Sequence, residues 1–213
     1  MPRSPRVELQ GFEARYYDSL LKLGTLGKYE KFIQKAIMDL HLNSEEVILD
    51  LGAGTGKNAE LILRRLNSNS KIYALEIGEE MIKQLQKRQR RYSQIHIIRQ
   101  RIEDSFQLPQ PATLAFISFV LHGLDHEKRR EVLQNVHHNL AEGGKFCILD
   151  YNHFDIDEAP WYLRVFIRKF ECKPAADFIQ RDWPTILEQN GFNKISQKFY
   201  FKNYLRLLCA FKV

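Results

Sequence analysis

The sequence predicts an α/β fold, a doubly wound and mostly parallel sheet with helices on both faces. Three observations predict it. Between Val47 and Asp150, β-rich apolar runs alternate with stretches in which apolar residues recur at helical spacing, the pattern of strands joined by crossover helices. The first such run closes on a glycine loop, Gly52-Ala53-Gly54-Thr55-Gly56, that opens a helix. Finally, 213 residues with 44% hydrophobic and 12% aromatic content, undivided by any repeat, Gly/Ser linker or Pro-rich spacer, fit one domain with a substantial core.

A helical stretch from Ala14 to Leu40 precedes the buried strand Val47-Ile48-Leu49-Asp50-Leu51. After the loop, Ala59, Ile62, Leu63 and Leu66 keep helical spacing until Asn67-Ser68-Asn69-Ser70 breaks it. The strand-like Ile72-Tyr73-Ala74-Leu75 ends in Glu76, a helix carrying Met81, Ile82 and Leu85 leads to Ile95-His96-Ile97-Ile98, and a further strand covers Leu114 to Val120. Asp125, whose short acceptor side chain can satisfy an open helix N–H, caps a helix with Val132, Leu133, Val136 and Leu140 on one face. Gly143-Gly144 turns that helix into the strand Phe146-Cys147-Ile148-Leu149-Asp150. Beyond it the alternation stops. Helical segments run from Ala159 to Phe170 and from Trp183 to Gln189, the second ended by Gly191. Two runs, Lys194 to Phe199 and Leu205 to Phe211, then pair as an antiparallel hairpin across Phe201-Lys202-Asn203.

Lysine and arginine outnumber aspartate and glutamate by 32 to 26, a net charge of +6 that favours an anionic partner without saying which. The densest basic run, Lys87-Arg88-Gln89-Arg90-Arg91, reads as a solvated helix end. The longest near-apolar run, Ala112 to Leu121, is half of what a bilayer-spanning helix needs, and Met1-Pro2-Arg3-Ser4-Pro5-Arg6 leads into no apolar stretch of signal-peptide kind. The expected location is the cytoplasm. Cys147, Cys172 and Cys209, odd in number and without a C-x-x-C pair, read as reduced thiols, and no metal site is expected.

The loop Asp50-Leu51-Gly52-Ala53-Gly54-Thr55-Gly56 joins a strand end to a helix start, where missing Cβ atoms let backbone N–H groups approach a ligand. Three nucleotide chemistries use such a turn. A Walker A loop is excluded, because three residues separate Gly52 from Gly56 and Asn58 stands where the magnesium-binding hydroxyl belongs. A dinucleotide fingerprint needs G-x-G-x-x-G, whereas Lys57 takes the place of the third glycine, which weakens a nicotinamide reading and leaves it open. Glu76, twenty residues past Gly56 at the next strand end, is placed to accept both ribose hydroxyls of a bound nucleoside; the plainer reading makes it a cap for the helix that follows.

Four motifs in order, Val47 to Gly56, Tyr73 to Met81, Phe119-Val120-Leu121-His122-Gly123-Leu124 and Leu140 to Leu149, resemble those of the class I S-adenosylmethionine-dependent methyltransferases. That resemblance covers most of the chain. It implies a Rossmann-like, seven-stranded sheet whose last strand is antiparallel, a count the C-terminal hairpin completes. It divides the chain into an N-terminal helical cap (1–45), a cofactor-binding core (46–150), substrate-covering helices (151–190) and a C-terminal hairpin (191–213). The implied cofactor is S-adenosyl-L-methionine, released as S-adenosyl-L-homocysteine. Gly52, Ala53, Gly54 and Gly56 would pack against its methionine part, Asp50 would steady the loop and its waters, and Glu76 would bind ribose. Ile77, Met81, Ile102 and Phe119 would line the site. Where the family often has an acid for the adenine amine this chain has Arg101, which cannot accept a hydrogen bond, so Glu103 or a backbone carbonyl is assigned instead.

The cofactor's sulfonium is already a strong electrophile, so the enzyme must align an acceptor and, for an oxygen or carbon nucleophile, remove a proton. His122, just past the fourth strand, suits that base by position and by the ordinary titration range of imidazole; the alternative is a histidine that hydrogen-bonds backbone or cofactor. Tyr17, beside Tyr16, and Tyr151, near His153, are the other catalytic candidates, while His137-His138 read as structural. The nearest subfamily resemblance is to the ubiquinone/menaquinone C-methyltransferases, although His122 and Gly123 replace the Arg and Asn of their F-G-L-R-N motif. The expected acceptor is therefore a small, apolar or aromatic molecule. An RNA or protein substrate, an NAD-dependent oxidoreductase and a catalytically silent cofactor-binding protein stay open as alternatives. Nucleic acid is disfavoured because D/N-P-P-Y motifs are missing. In the segment Trp161 to Phe170, Tyr162, Phe166 and Phe170 form one helical row and Arg164 and Arg168 another: either a lid over an apolar pocket with a basic edge for peripheral membrane contact, or an ordinary amphipathic helix packed on the sheet.

Overall fold

The computed structural model describes residues 28–161, 164, 165, 167 and 173–213. In chain order the elements are α1 (Lys28–Met38), β1 (Val47–Leu51), α2 (Lys57–Leu63), β2 (Lys71–Leu75), α3 (Glu79–Gln89), β3 (Ile95–Ile98), β4 (Ala112–Ser118), a 3-10 turn (Leu121–Gly123) and α4 (His126–Asn139). They continue as β5 (Leu140–Tyr151), α5 (Lys173–Ile179), α6 (Trp183–Gln189), β6 (Phe192–Tyr200) and β7 (Leu205–Lys212). The strands make one seven-stranded sheet ordered β3-β2-β1-β4-β5-β7-β6. β1 to β5 pair in parallel, and β7 runs antiparallel to both β5 and β6, as anticipated.

Period-two alternation sorts the strand residues between two apolar layers. Ile48, Ile72, Leu114, Phe116 and Cys147 face α1 to α3, where Phe32, Ile37, Ala59, Ile62 and Leu85 cover them. Leu49, Leu75, Ala115, Phe146 and Ile148 face the opposite layer, filled by Val132, Leu133, Phe178, Trp183 and Leu187 of α4 to α6. With both faces covered, the carboxyl edge of the sheet is left for ligands, above the crossing from β1 to β4. The caps follow the sequence: Asp125 accepts from Lys128 N–H at 3.1 Å, and Gly191 takes φ 83° as α6 ends.

Four expectations need correction or limits. β4 stops at Ser118 instead of Val120, because Phe119 adopts the left-handed region with φ 55°. β5 begins at Leu140: Ala112 already pairs with Leu140, and Gly143-Gly144 lies in a register shift within the strand, before Leu114 meets Lys145, instead of in a preceding turn. Cys147 and Cys209 are not separate thiols but are joined as a disulfide. Sequence spacing hid this, since the two lie 62 residues apart and meet as opposed residues of antiparallel β5 and β7, with Cα atoms 4.2 Å apart. Tyr16, Tyr17, Cys172, Tyr162, Phe166, Arg168 and Phe170 lie outside the described residues. Of the proposed lid, Trp161 is 70% exposed, while Ile167 is buried in the layer shared with α4. Among the described residues, no helix is long and apolar enough to cross a membrane.

Trp183 ties α6 to α5, its ring 4.6 Å from that of Phe178 and its Nε1–H donating to the Phe178 carbonyl at 3.0 Å. Trp183→Ala should therefore lower unfolding free energy by about 3–5 kcal/mol in urea titrations. A loss below about 1 kcal/mol would show that α6 is not part of the core.

Candidate active site

The glycine loop lies at the carboxyl edge of β1, and three backbone conformations explain its composition. Gly52, Gly54 and Gly56 have φ of 70°, 56° and 80°, in the region that L side chains rarely enter. Their surroundings differ. A Cβ on Gly52 would meet Val120 Cγ2 at 2.7 Å, and one on Gly56 would collide with Leu85 Cδ1, so both glycines are required by packing. A Cβ on Gly54 would meet nothing within 4 Å. Gly54 is thus the loop's open face, with its N–H donated to Glu76 Oε2 at 2.8 Å. Ala53 N–H bonds the Leu75 carbonyl at 2.9 Å, which ties the loop to the end of β2.

Glu76 occupies that end. Its Oε1 accepts from Ile77 N–H at 2.9 Å and Gly78 N–H at 2.7 Å, so three amides already hold a carboxylate that offers about four acceptor positions. Asp50 lies on β1 beside it, fully buried, with Oδ2 lacking a partner among the described residues. Burial, then the charge of Glu76, pushes the Asp50 carboxyl up to about 7. An orphaned buried oxygen under an open glycine fits a site in which a bound cofactor or its waters supply the missing donor.

The remaining cofactor candidates flank this loop. Met81 is buried in the first turn of α3, and Ile102 is buried below the 102–104 loop, whose three carbonyls all accept from Asn135 Nδ2 at 2.9–3.1 Å. Ile77 is half-buried directly after Glu76. Glu103 is held by Arg101 Nε at 2.8 Å and Lys128 Nζ at 3.5 Å, and these cations keep its carboxyl below the usual range despite burial. An adenine amine would have to compete with both, or use a carbonyl. Phe119, left-handed beyond β4, packs against Tyr29 and Phe32 with ring centroids 6.5 and 6.2 Å away.

His122 sits in the 3-10 turn past β4, facing the end of β5. Its Nδ1 lies 2.7 Å from Asp150 Oδ1, and its own N–H donates to Asp150 Oδ2 at 3.2 Å. Asp150, 1% exposed, also accepts from Tyr151 N–H at 2.8 Å. The imidazole edge packs on Tyr151 and Phe178, with centroids 5.2 and 6.4 Å away. A carboxylate on Nδ1 favours the tautomer with a proton there and would stabilise an imidazolium, an arrangement that suits a general base. Arg206 of β7, paired in register with Asp150, is 4% exposed; burial lowers its guanidinium to about 10, against the raising effect of Asp182 and Asp150.

Asp150 and Arg129 were not singled out in the sequence. Asp150 closes an apolar strand as Asp50 does, which was the available signal for the first. For Arg129 the signal was its place at the head of the α4 apolar row with Val132, Leu133 and Val136, where a cation is out of pattern.

Comparison with known proteins agrees with this geometry. Residues 48–144 match the family described as a methyltransferase domain. An ornithine lipid N-methyltransferase of Singulisphaera acidiphila is 24% identical over 153 residues, covering 70% of this chain and 76% of that one. An uncharacterized methyltransferase of Synechocystis sp. is 24% identical over 197 residues, covering 91% and 90%. Among solved structures, human N-acetylserotonin methyltransferase in complex with SAM superposes with a TM-score of 0.70 at 17% identity. That match covers 94% of this chain, which spans only 56% of the human one.

The two classes of glycine give opposite expectations. Gly54→Ala should fold with a penalty of about 1–2 kcal/mol for its left-handed backbone yet lose S-adenosylmethionine affinity, whereas Gly52→Ala adds a collision and should lose more stability. Denaturation and calorimetry on the pair check this, and wild-type affinity in Gly54→Ala would remove the loop from the cofactor site. Asp50 sets a pH dependence. Its folded carboxyl holds a proton that the unfolded chain releases near 3.8, so its contribution is full below that pH and is lost as pH rises through about 7. Asp50→Asn should accordingly gain on wild type, by a few kcal/mol, between pH 4 and pH 8. A stability difference that stays constant with pH would mean that Asp50 titrates normally.

Proposed function

We propose that this chain, whose residues 48–144 match a methyltransferase domain, is a class I S-adenosylmethionine-dependent methyltransferase that methylates a small, apolar or aromatic acceptor whose reacting atom gives its proton to His122. The observation that carries this reading is the 2.7 Å contact of His122 Nδ1 with buried Asp150. When bound, S-adenosylmethionine supplies an electrophilic methyl group. The chain's own tasks are then to hold the cofactor, align the acceptor and take the proton. Gly52, Ala53, Gly54 and Gly56 hold the methionine part, Glu76 the ribose, and Ile77, Met81, Ile102, Glu103 and Phe119 flank the adenosine, with Asp50 beneath the loop. His122 Nε2 receives the acceptor's proton while Asp150 steadies the imidazolium that results. Tyr151, edge-on to the His122 ring, puts an aromatic side chain next to the base, which favours a phenol or quinol.

A second reading takes an amine as acceptor. It is favoured by likeness to an ornithine lipid N-methyltransferase, and a protonated amine needs the same base. Exposed Trp161 and Val165 beside Arg164 then suit peripheral contact with a lipid surface. The test is a panel of phenols, quinols, amines and ornithine lipid vesicles, run with methyl-labelled S-adenosylmethionine on the full chain. With the accepted substrate, His122→Ala should cut kcat by about 10²–10⁴ and leave cofactor affinity unchanged. Asp150→Asn should cut kcat by about tenfold or more through the wrong tautomer. Turnover in His122→Ala within a few-fold of wild type would defeat the base assignment. Labelling of RNA or protein but no small molecule would defeat the acceptor class.

A further inference from the structure

Arg129 projects from the apolar face of α4 into the layer beneath the His122 turn and is 1% exposed. Four of the five N–H donors of its guanidinium are used. Nε donates to the Leu121 carbonyl at 3.1 Å, and Nη2 donates to the His122 carbonyl at 3.2 Å and the Pro174 carbonyl at 2.6 Å. Nη1 meets Asp177 Oδ2 at 2.6 Å, and the planar group lies 5.2 Å from the Phe178 ring centre. A leucine or methionine here would fill the layer without the cost of burying a charge, so packing alone does not account for the residue. What the arginine adds is a four-acceptor fork spanning the His122 turn and α5.

The turn needs such a fork. It is three residues long, and Leu124 N–H reaches the Leu121 carbonyl at only 3.3 Å. His122 itself is gripped from both sides: Asp150 takes its amide N–H and ring, and Arg129 takes its carbonyl. With the peptide groups before and after the Cα both fixed, the ring has little freedom to leave Asp150. We propose that Arg129 is a positioning residue for His122, locking the base's backbone to α5 so that the ring–Asp150 contact is made before any acceptor arrives. This rests on the reading of His122 as the base. Among the described residues, the charged groups near the pair include Arg129 and Asp177 on the α4 and α5 side and Arg206 from β7.

The experiment follows the His122 Nδ1 proton in the full chain by low-field proton NMR, with the resonance assigned by its loss in His122→Gln. Arg129→Lys keeps the charge but replaces the fork with one ammonium. Its resonance should broaden away or exchange at least about tenfold faster, the effect of losing one charge-assisted hydrogen bond, while calorimetric S-adenosylmethionine affinity stays within about twofold. In turnover, kcat should fall and KM for the cofactor should not. An unchanged resonance and exchange rate in Arg129→Lys would overturn the proposal, because a residue that merely fills the layer cannot move that signal. If Arg129→Lys does not fold, Asp177→Asn weakens the fork from its exposed end and should speed exchange severalfold; no change there also overturns it. Because the resonance is read without an acceptor, active His122→Gln would defeat the base reading and leave the positioning result separately decided.

Discussion

The contact between His122 and Asp150 depends on one constraint, that parallel β4 stops opposite Leu149, two residues before β5 ends, and the chain turns immediately afterwards. Ser118 pairs with Leu149, and Phe119 N–H bonds the Leu149 carbonyl at 2.9 Å, so the ladder persists to the last residue before the turn. The chain must then fold back within Phe119, Val120 and Leu121 to bring His122 over Asp150. Left-handed Phe119 achieves the reversal at a conformational cost that bulky residues seldom bear. The same reversal lays Val120 on Gly52, at a spacing that allows no Cβ. The position of His122 and the glycine at position 52 of the loop are therefore consequences of one turn.

The glycine loop and the surroundings of His122 are built from different materials. The loop at Gly52 to Gly56 works through backbone groups, and Glu76 is anchored by the amides of Gly54, Ile77 and Gly78. The surroundings of His122 work through side chains that converge from the 3-10 turn, α4, β5, α5 and β7. Backbone devices leave local marks in a sequence: glycines at fixed offsets, an acid at a strand end. Converging side chains leave none, since Asp150 lies 28 residues from His122 and Asp177 lies 48 from Arg129.

That difference decides what was legible. Strand and helix order followed from periodicity because each element covers one face of a single sheet, and the hairpin from its spacing. The glycine loop and Glu76 were legible as a local motif, and His122 as a position after a strand. Asp150 was read only as the last residue of a strand, and Arg129 lies in the charged run His126-Glu127-Lys128-Arg129-Arg130, where only its burial sets it apart from more exposed neighbours. Cys147 and Cys209 were misread for the same reason, since cross-strand register, not spacing, brings them together.

Asp50 and Glu76 show how the fold settles a conflict between like charges. β1 and β2 pair in register, Leu51 opposite Leu75, so the two acids fall at neighbouring strand ends. Burial makes two carboxylates there unfavourable, and the hydrogen bonds decide between them. Glu76 has three amide donors, while Asp50 has an unpartnered Oδ2 and a carboxyl raised to about 7. Near neutrality Asp50 can thus either hold its proton or carry a charge beside Glu76. A cationic ligand over the loop favours the charged form, and an anionic or neutral one the protonated form. The depth of one aspartate thereby makes the charge at this strand end depend on what lies beside it.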